Sequence, residues 1–528
     1  MRYLLFFIVF AFVSECLAQK TFRFSGQFES NSQYYINEIA ENIRDKQIAS
    51  NNYLDLLLGY GKFEAGISAE SYLPNPLLGY PIAYDKTGIS KFFVRYASDK
   101  FNLTLGDFYE QLGSGLIYRS YQQREIGVDQ SSFGANLHFL PTDFLRFKLI
   151  YGTPNFYFAK LDTRFYGFDS ELDFQLSSAS FTLGFSALLK QEKFTDKQTV
   201  QHNNSKLYST RLSGSIKNFD IKTEYAFKTP DANVENNYNT KKGQALQISP
   251  SYSKRGFGIN LNFRAILNMS VLNERELDAN GNGRRDEDIL NYKLNYIPSI
   301  SQIHSYNIYN IYTYQAKENN EIGYSASVYY KIKRKTALGG KYGTKIRVSS
   351  SVFYTQTKID RYTDFLKLNE KLFNEHGIEI DKKINKKFKL ITQYTYQEYN
   401  KFLVEDNLEN REIVYSHILV GDLLTKFNRQ HSLRTELGFM FNKNDLGNWG
   451  TILLEYANSK GWSVFVSDQY NFGTEKKHYY LIGSAYSYKN ARIAITYGET
   501  RDGYTCVGGI CKFLPGAEAL SLSLAFKF

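Results

Sequence analysis

Large apolar residues hold every second position at the end of the chain: Leu520, Leu522, Leu524, Phe526 and Phe528, with Ser521, Ser523, Ala525 and Lys527 between them. Side chains alternate faces along a strand, so this period of two predicts a strand with one apolar and one more polar face. The pattern recurs upstream. Phe219, Ile221, Thr223, Tyr225 and Phe227 oppose Asp220, Lys222, Glu224 and Lys228. Ile322, Tyr324, Ala326, Val328, Tyr330 and Ile332 oppose Glu321, Ser325, Ser327 and Lys331, and a third stripe runs through Phe388, Leu390, Thr392, Tyr394 and Tyr396. Segments of about 10 to 13 residues with this alternation are long enough to cross a bilayer at a tilt. Helix-period segments with caps are not apparent. Left bare on a soluble sheet edge, such an apolar face would template aggregation, so something must cover it.

The spacing of the turns sets the architecture. Short connections fall at Tyr60-Gly61, Ser98-Asp99, Pro141-Thr142, Asn218, Lys254-Arg255, Lys335 to Gly339, Asn385, Asn428, Lys460 and Asn490. Longer stretches lie between them at 71–87, 107–129, 190–204, 229–242, 269–289, 400–410 and 500–518. Short turns on one rim and longer loops on the other are the layout of a transmembrane antiparallel β-barrel. Counted this way the chain predicts about 26 strands, an even number that puts both termini on the short-turn side. Weak alternation near 165–180 and 290–303 widens the range to roughly 22–28. Alternation begins at Phe22, Phe24, Gly26 and Phe28, so no plug domain is expected. The predicted fold is all-β, one barrel over residues 19–528.

Composition refines this picture. No run of about 18 apolar residues follows the N-terminal segment, which excludes a helical membrane bundle. Mean hydropathy is -0.41 although 43% of residues are hydrophobic; apolar outward and polar inward positions in a barrel reconcile the two. With 43 Tyr and 41 Phe against 2 Trp, Tyr and Phe would supply the interfacial girdles. A large secreted β-sandwich or propeller array is the competing all-β reading. At the N-terminus, Arg2, the apolar run Leu4 to Val13 and Cys16-Leu17-Ala18 predict a signal peptide over residues 1–18, cleaved before Gln19. Lipidation at Cys16 is the weaker alternative, because Glu15 fits that signal poorly. Export plus a barrel implies the outer membrane of a Gram-negative bacterium, with both termini periplasmic. The formal charge of +11 is dispersed, with no nucleic-acid-binding motif, so no nucleic acid partner is expected. Basic loops against lipopolysaccharide, a weakly anion-favouring pore, and solvated Lys and Arg on turns are its three readings.

Candidate chemistry is sparse. After removal of Cys16, Cys506 and Cys511 remain in Cys506-Val507-Gly508-Gly509-Ile510-Cys511. In an exported chain this even count favours a disulfide that shapes a surface tip; a metal site would need further ligands, and none lies nearby. Asp107, Glu110, Arg119, Arg124 and Glu125 put opposite charges in one insertion that also carries Gly113 and Gly115. Folded into the lumen, it would form a constriction with a transverse field. Alternatively, Asp107 and Glu110 pair with Arg119 and Arg124 and only clamp the segment to the wall. Asp278, Asn280 and Asn282, then Gly283, with Asp286 and Asp288 further on, match the opening of a calcium loop, but Ile289 replaces its final bidentate Glu. The alternative is a polar Asn-Gly turn, and no other cofactor is indicated. His138, His202, His304, His376, His417, His431 and His478 are scattered, and no nucleophile elbow or phosphate loop occurs. An enzyme is not expected, although a barrel hydrolase could assemble its residues from separate strands.

The terminal alternation ending in Phe528 resembles the closing strand that the barrel-assembly machinery reads. The stretch Gly106-Asp107-Phe108-Tyr109-Glu110-Gln111-Leu112-Gly113-Ser114-Gly115-Leu116-Ile117-Tyr118-Arg119 resembles a signature of an uncharacterised family of Bacteroidota outer-membrane barrels, and the Cys506–Cys511 loop with Pro515 resembles another part of it. The resemblance implies location and fold, and carries no activity. The phylum's elaborate outer-membrane complexes raise the expectation of an accessory-subunit role. The expected function is a plugless, porin-like channel for small solutes. The alternative is a non-transporting scaffold subunit of a larger outer-membrane complex for secretion, assembly or adhesion. Expected partners are outer-membrane lipid and lipopolysaccharide, the barrel-assembly machinery and such a complex. If the calcium loop is real, chelation will change proteolysis near Asp278; unchanged cleavage would remove it.

Overall fold

The structure, a computed structural model, describes residues 22–36, 47–80, 84–192, 204–274, 289–357, 365–405, 411–507 and 510–528. Twenty-four strands form one closed antiparallel barrel; the short strand Ala159–Lys160 is attached to it, and three small two-stranded sheets lie outside it among the described residues. Each barrel strand pairs with its neighbours in chain order, and Glu518–Lys527 closes on Phe22–Tyr35. No helix among the described residues is long and apolar enough to cross a membrane. The signal-peptide segment 1–18 lies outside the described residues.

The count of 24 falls inside the expected range and below 26. Segment 290–303 adds no barrel strand, because none of the described residues between Phe257–Leu267 and Asn320–Ile332 pairs into the barrel sheet. Segment 165–180 resolves into Arg164–Leu176 and Ala179–Gln191, which turn at Ser177-Ser178 with Ser177 at φ 56. A Ser-Ser pair lacks the Gly or Asn that normally marks such a turn, so the sequence pattern passes over it. Short turns and longer connections otherwise alternate as expected, and the first strand begins and the last strand ends at the short-turn rim.

Alternation sorts the two faces of the wall. On strand Phe219–Lys228, Tyr225 is 38% exposed on the outside and its neighbour Glu224 only 5% exposed on the inside. Leu520, Leu522, Phe526 and Phe528 likewise face outward. The seam is displaced from the expected pairing with Phe22–Phe28. Its register runs from Gln27↔Lys527 to Tyr35↔Ala519, because the 14-residue first strand outruns the 10-residue last one. Gly26 and Phe528 then exchange backbone hydrogen bonds of 2.8 and 2.9 Å. The Phe528 ring lies across Gly26, between Phe24 and Phe526 at centroid distances of 5.8 and 5.6 Å. A Cβ on Gly26 would fall 2.3 Å from that ring.

The core sits inside the barrel. One apolar cluster joins Leu112, Leu116, Ile117 and Tyr118, from the connection after Phe101–Phe108, to inward wall residues Ile150, Phe165, Leu188, Leu207 and Ile266. A second joins Tyr306, Ile308, Tyr309, Ile311, Tyr312 and Tyr314 to Phe353, Phe373, Tyr399, Ile418, Met440 and Trp449. Substituting Gly26→Val will lower the fraction of protein that stays SDS-resistant and compact in unboiled gels. The same change at Gly421, whose Cβ position has no atom within 4 Å, will leave that fraction unchanged.

Candidate functional site

Residues 109–131 leave the wall at Phe108 and rejoin it at Ser132. In between they fold into the lumen, because the inner wall on that side offers both an apolar patch and complementary charge. Glu110 receives Lys148 Nζ at 2.8 Å, Asn136 Nδ2 at 3.0 Å and the His138 ring, all from the wall. Burial works against ionisation of Glu110, but its hydrogen bonds to His138 and Lys148 outweigh it and hold the carboxyl at about 2. Arg124 reaches Asp55 at 3.0 Å and Glu29 at 3.9 Å and lies over the Tyr53 ring at 4.3 Å. Asp129 receives Lys91 Nζ at 2.7 Å, and Ser114 N donates to Glu224 Oε2 at 2.8 Å. Gly113 takes φ 58, and a Cβ there would lie 2.6 Å from Glu224 Oε1, so the close approach of the insertion to the wall requires glycine.

The expected pairing of Asp107 and Glu110 with Arg119 and Arg124 does not form. Asp107 belongs to the wall, where its carboxylate receives Phe92 N and Asn155 Nδ2, each at 2.7 Å. Arg119 donates its backbone N–H to Leu294 O at 3.1 Å and sets its guanidinium 5.4 Å from the Tyr121 ring. Glu125 accepts from Gln123 within the insertion. The physical reason is reach: the wall presents Lys91, Lys148 and Asp55 directly to the segment, so its charges are satisfied outward.

The long connection 268–319 forms a second insertion, described at 268–274 and 289–319. Lys190 Nζ and Lys228 Nζ donate from the wall to the carbonyls of Leu272 and Ser270, at 2.6 and 2.7 Å. The buried pair Arg264–Glu321 continues to Pro298 O and to the Tyr314 hydroxyl, both at 2.6 Å. Across the lumen, His304 meets Glu375 at 2.9 Å, and the hydroxyls of Tyr309 and Tyr312 meet Thr395 at 2.8 Å and Asp445 at 2.9 Å. Two side-chain amides knit the insertions together. Asn291 Oδ1 accepts from Asp129 N at 2.8 Å, and Asn295 Nδ2 donates to Leu116 O at 3.0 Å and Met269 O at 2.8 Å. Lys293 pairs with Glu235 and Glu318 at 2.8 and 3.0 Å. Burial works against the charge on Lys293, and the two carboxylates override it and raise its pKa above the usual lysine value.

Cys506 and Cys511 form the expected disulfide, directly opposite each other in the hairpin Gly503–Val507/Ile510–Leu514. Its second arm carries Ile510 and Cys511 buried rather than on the outer surface. Ile510 packs with Ile126, Val128 and Tyr296, because its apolar residues find partners on both insertions. Just before it, Arg501 donates to Asn310 O at 3.2 Å. The calcium candidates Asp278, Asn280, Asn282, Asp286 and Asp288 lie outside the described residues, and no metal-holding cluster occurs among the described ones. Below the first insertion, on the short-turn side, a cavity of about 470 Å³ is lined by Asp55, Lys91, Arg95, Gln122, Arg124 and Asn136.

A family model matches residues 1–528. The chain belongs to DUF6029, a family of unknown function. No curated protein matches it. Among solved structures, the chain is similar to the siderophore receptor PirA from Pseudomonas aeruginosa, at 11% identity and a TM-score of 0.42, covering 97% of this chain and 81% of that one. It is also similar to a BenF-like porin from Pseudomonas fluorescens Pf-5, at 9% identity and a TM-score of 0.37, covering 97% and 98%. The P pilus usher PapC translocation pore matches at 10% identity and a TM-score of 0.38, covering 96% and 99%. Likeness this distant carries no argument about activity.

Sequence reading singled out the insertion's charges but not their wall partners Asp55, Lys91, Lys148 and Glu224, nor the lumen-crossing tyrosines. A signal existed in apolar runs at the loop ends of strands, such as Ala187-Leu188-Leu189 and Ala265-Ile266-Leu267, where both faces are apolar. The depressed Glu110 carboxyl gives a pH prediction. A depressed pKa stabilises docking above the unfolded value near 4.5 and loses that contribution as pH falls towards 2, on the order of 3 kcal/mol. Pepsin cleavage within 109–131 will therefore rise as pH drops from about 5 to about 2 in the wild type, whereas Glu110→Gln will be cleaved readily throughout.

Proposed function

We propose that the protein is an integral outer-membrane β-barrel, closed by its own insertions, that serves as a non-transporting scaffold subunit of a larger outer-membrane complex for secretion, assembly or adhesion. One observation carries this reading. The insertions cross the lumen and fasten to opposite walls through buried tyrosines and paired charges, from Arg124–Asp55 on one side to Arg264–Pro298 and Tyr314–Glu321 on the other. A barrel of this width would otherwise enclose an aqueous channel. In this reading the apolar outer face meets lipid, basic loops meet lipopolysaccharide, and both termini and the short turns face the periplasm. The signal-peptide pattern of residues 1–18 and the aromatic-ended last strand support export and recognition by the barrel-assembly machinery. No catalysis and no nucleic acid partner belong to it.

A second reading, a porin-like channel for small solutes, draws on the cavity of about 470 Å³ beneath the first insertion. It requires the insertions to move aside. Asp107, Glu110, Arg119, Arg124 and Glu125 are then positioning groups of a gate. The scaffold reading is tested by solubilising native membranes in mild detergent, isolating the tagged full chain and analysing it by size exclusion and mass spectrometry. A defined outer-membrane partner in stoichiometric amount is expected. A barrel that elutes alone under conditions preserving other outer-membrane complexes would contradict it.

A further inference from the structure

We infer that a groove on the outer face of the barrel wall binds one phosphorylated, acylated glycolipid of the outer leaflet, of the lipid A type. The groove has a volume of about 610 Å³ and crosses the strands from Phe101–Phe108 to Asn204–Ile216. Two rows of outward side chains line it. Tyr151, Tyr166, Leu189 and Lys206 stand side by side in the row nearer the long connections. Leu149, Phe168, Ala187 and Tyr208 form the next row towards the short turns. Leu149, Tyr151, Tyr166 and Tyr208 are exposed, so the groove opens away from the lumen. In the second row Ala187 stands between Phe168 and Tyr208, and its methyl group leaves a dent between the two rings. Atoms lining a dent lack contacts on one side, and a flexible acyl chain can supply them.

Charge selects the headgroup. One row further out, Arg164, Gln191 and Asn204 pair across the same strands, so the apolar belt ends here. Tyrosines at such an edge mark the passage from hydrocarbon to headgroups. Lys206 is exposed at this level, and its side chain makes no ion pair among the described residues; the same holds for Arg164. The adjoining connection adds Lys160, which lies over the outward Phe133 ring, and the carboxylate of Asp162. Among the described residues this rim therefore exposes three cations to one carboxylate. Basic clusters beside hydrocarbon recognise acidic lipid headgroups. With the long connections outside the cell, the leaflet at this level is the outer one, whose phosphorylated glycolipid joins acyl chains to phosphate. This site deepens the outer-membrane reading and rests on it.

The test places a photocrosslinking phenylalanine analogue at position 208 of the full chain in native outer membranes. Irradiation is expected to give a product that reacts with an antibody to lipid A. That product should fall at least fivefold in Lys206→Glu and in Ala187→Phe, and persist in Lys206→Arg, while each barrel stays SDS-resistant. If Lys206→Glu does not assemble, Ala187→Phe carries the comparison. Native mass spectrometry of the purified full chain in detergent should show one bound lipid A. Dephosphorylated lipid A and phosphatidylglycerol should each bind at least fivefold more weakly. No lipid A product, or products only with phospholipid, another protein or a second copy of this chain, would overturn the assignment. Equal binding of dephosphorylated lipid A or phosphatidylglycerol, or unchanged labelling in the folded variants, would do the same. A chain recovered outside the outer-membrane fraction would instead refute the outer-membrane reading, and the site with it.

Discussion

Closure of the sheet is the constraint on which everything else depends. In hydrocarbon an unpaired backbone N–H or C=O has no water to turn to, so a spanning sheet cannot keep a free edge. Here the edge disappears where Phe22–Tyr35 meets Glu518–Lys527. The seam is finished by the bonds between Gly26 and Phe528 and by the terminal ring laid across the glycine. Once the sheet is closed, the strand period of two does the rest. One phase of side chains faces outward and is apolar, and the other faces inward and holds the charges.

Closure with 24 strands creates a second problem, a wide interior. The chain folds its own connections into it. Tyrosine suits this task because it buries a large apolar ring and still carries a hydroxyl that needs a partner. Tyr309, Tyr312 and Tyr314 each place that hydroxyl on a wall residue or its neighbour, at Thr395, Asp445 and Glu321. Paired charges do the corresponding work around Lys91, Arg124 and Lys293. Asn291 and Asn295, both on the second insertion, then make the two insertions one body by bonding to the backbone of the first at Asp129, Gly127 and Leu116. The disulfide hairpin packs on that body through Ile510. Filling and closure are therefore linked: residues such as Glu224 and Lys190 belong to strands by backbone pairing and to the interior by side-chain contact.

Much of this was legible in the sequence, and the boundary has a physical cause. Alternation in 219–228, 322–332 and 388–396 reports a local property, so it located strands and their outward faces. Turn spacing gave the even barrel, whose first strand begins and last strand ends at one rim. The turn at Ser177-Ser178 was missed because its left-handed backbone sits on a residue without a turn preference. The docking of the insertions inside the lumen was missed because it joins residues as far apart as Ser114 and Glu224 or Tyr312 and Asp445. The disulfide was read correctly from cysteine count, but its inward packing depends on Tyr296 and Val128, which no local pattern connects to it.

The central claim is that the insertions hold the lumen shut. Planar-bilayer recording of the purified full chain, beside a variant in which 303–314 is replaced by a Gly-Ser linker of equal length, tests it most directly. The account predicts a silent native barrel and stepwise ion currents from the variant. Sustained open-channel currents from the native protein, equal to those of the variant, would contradict it.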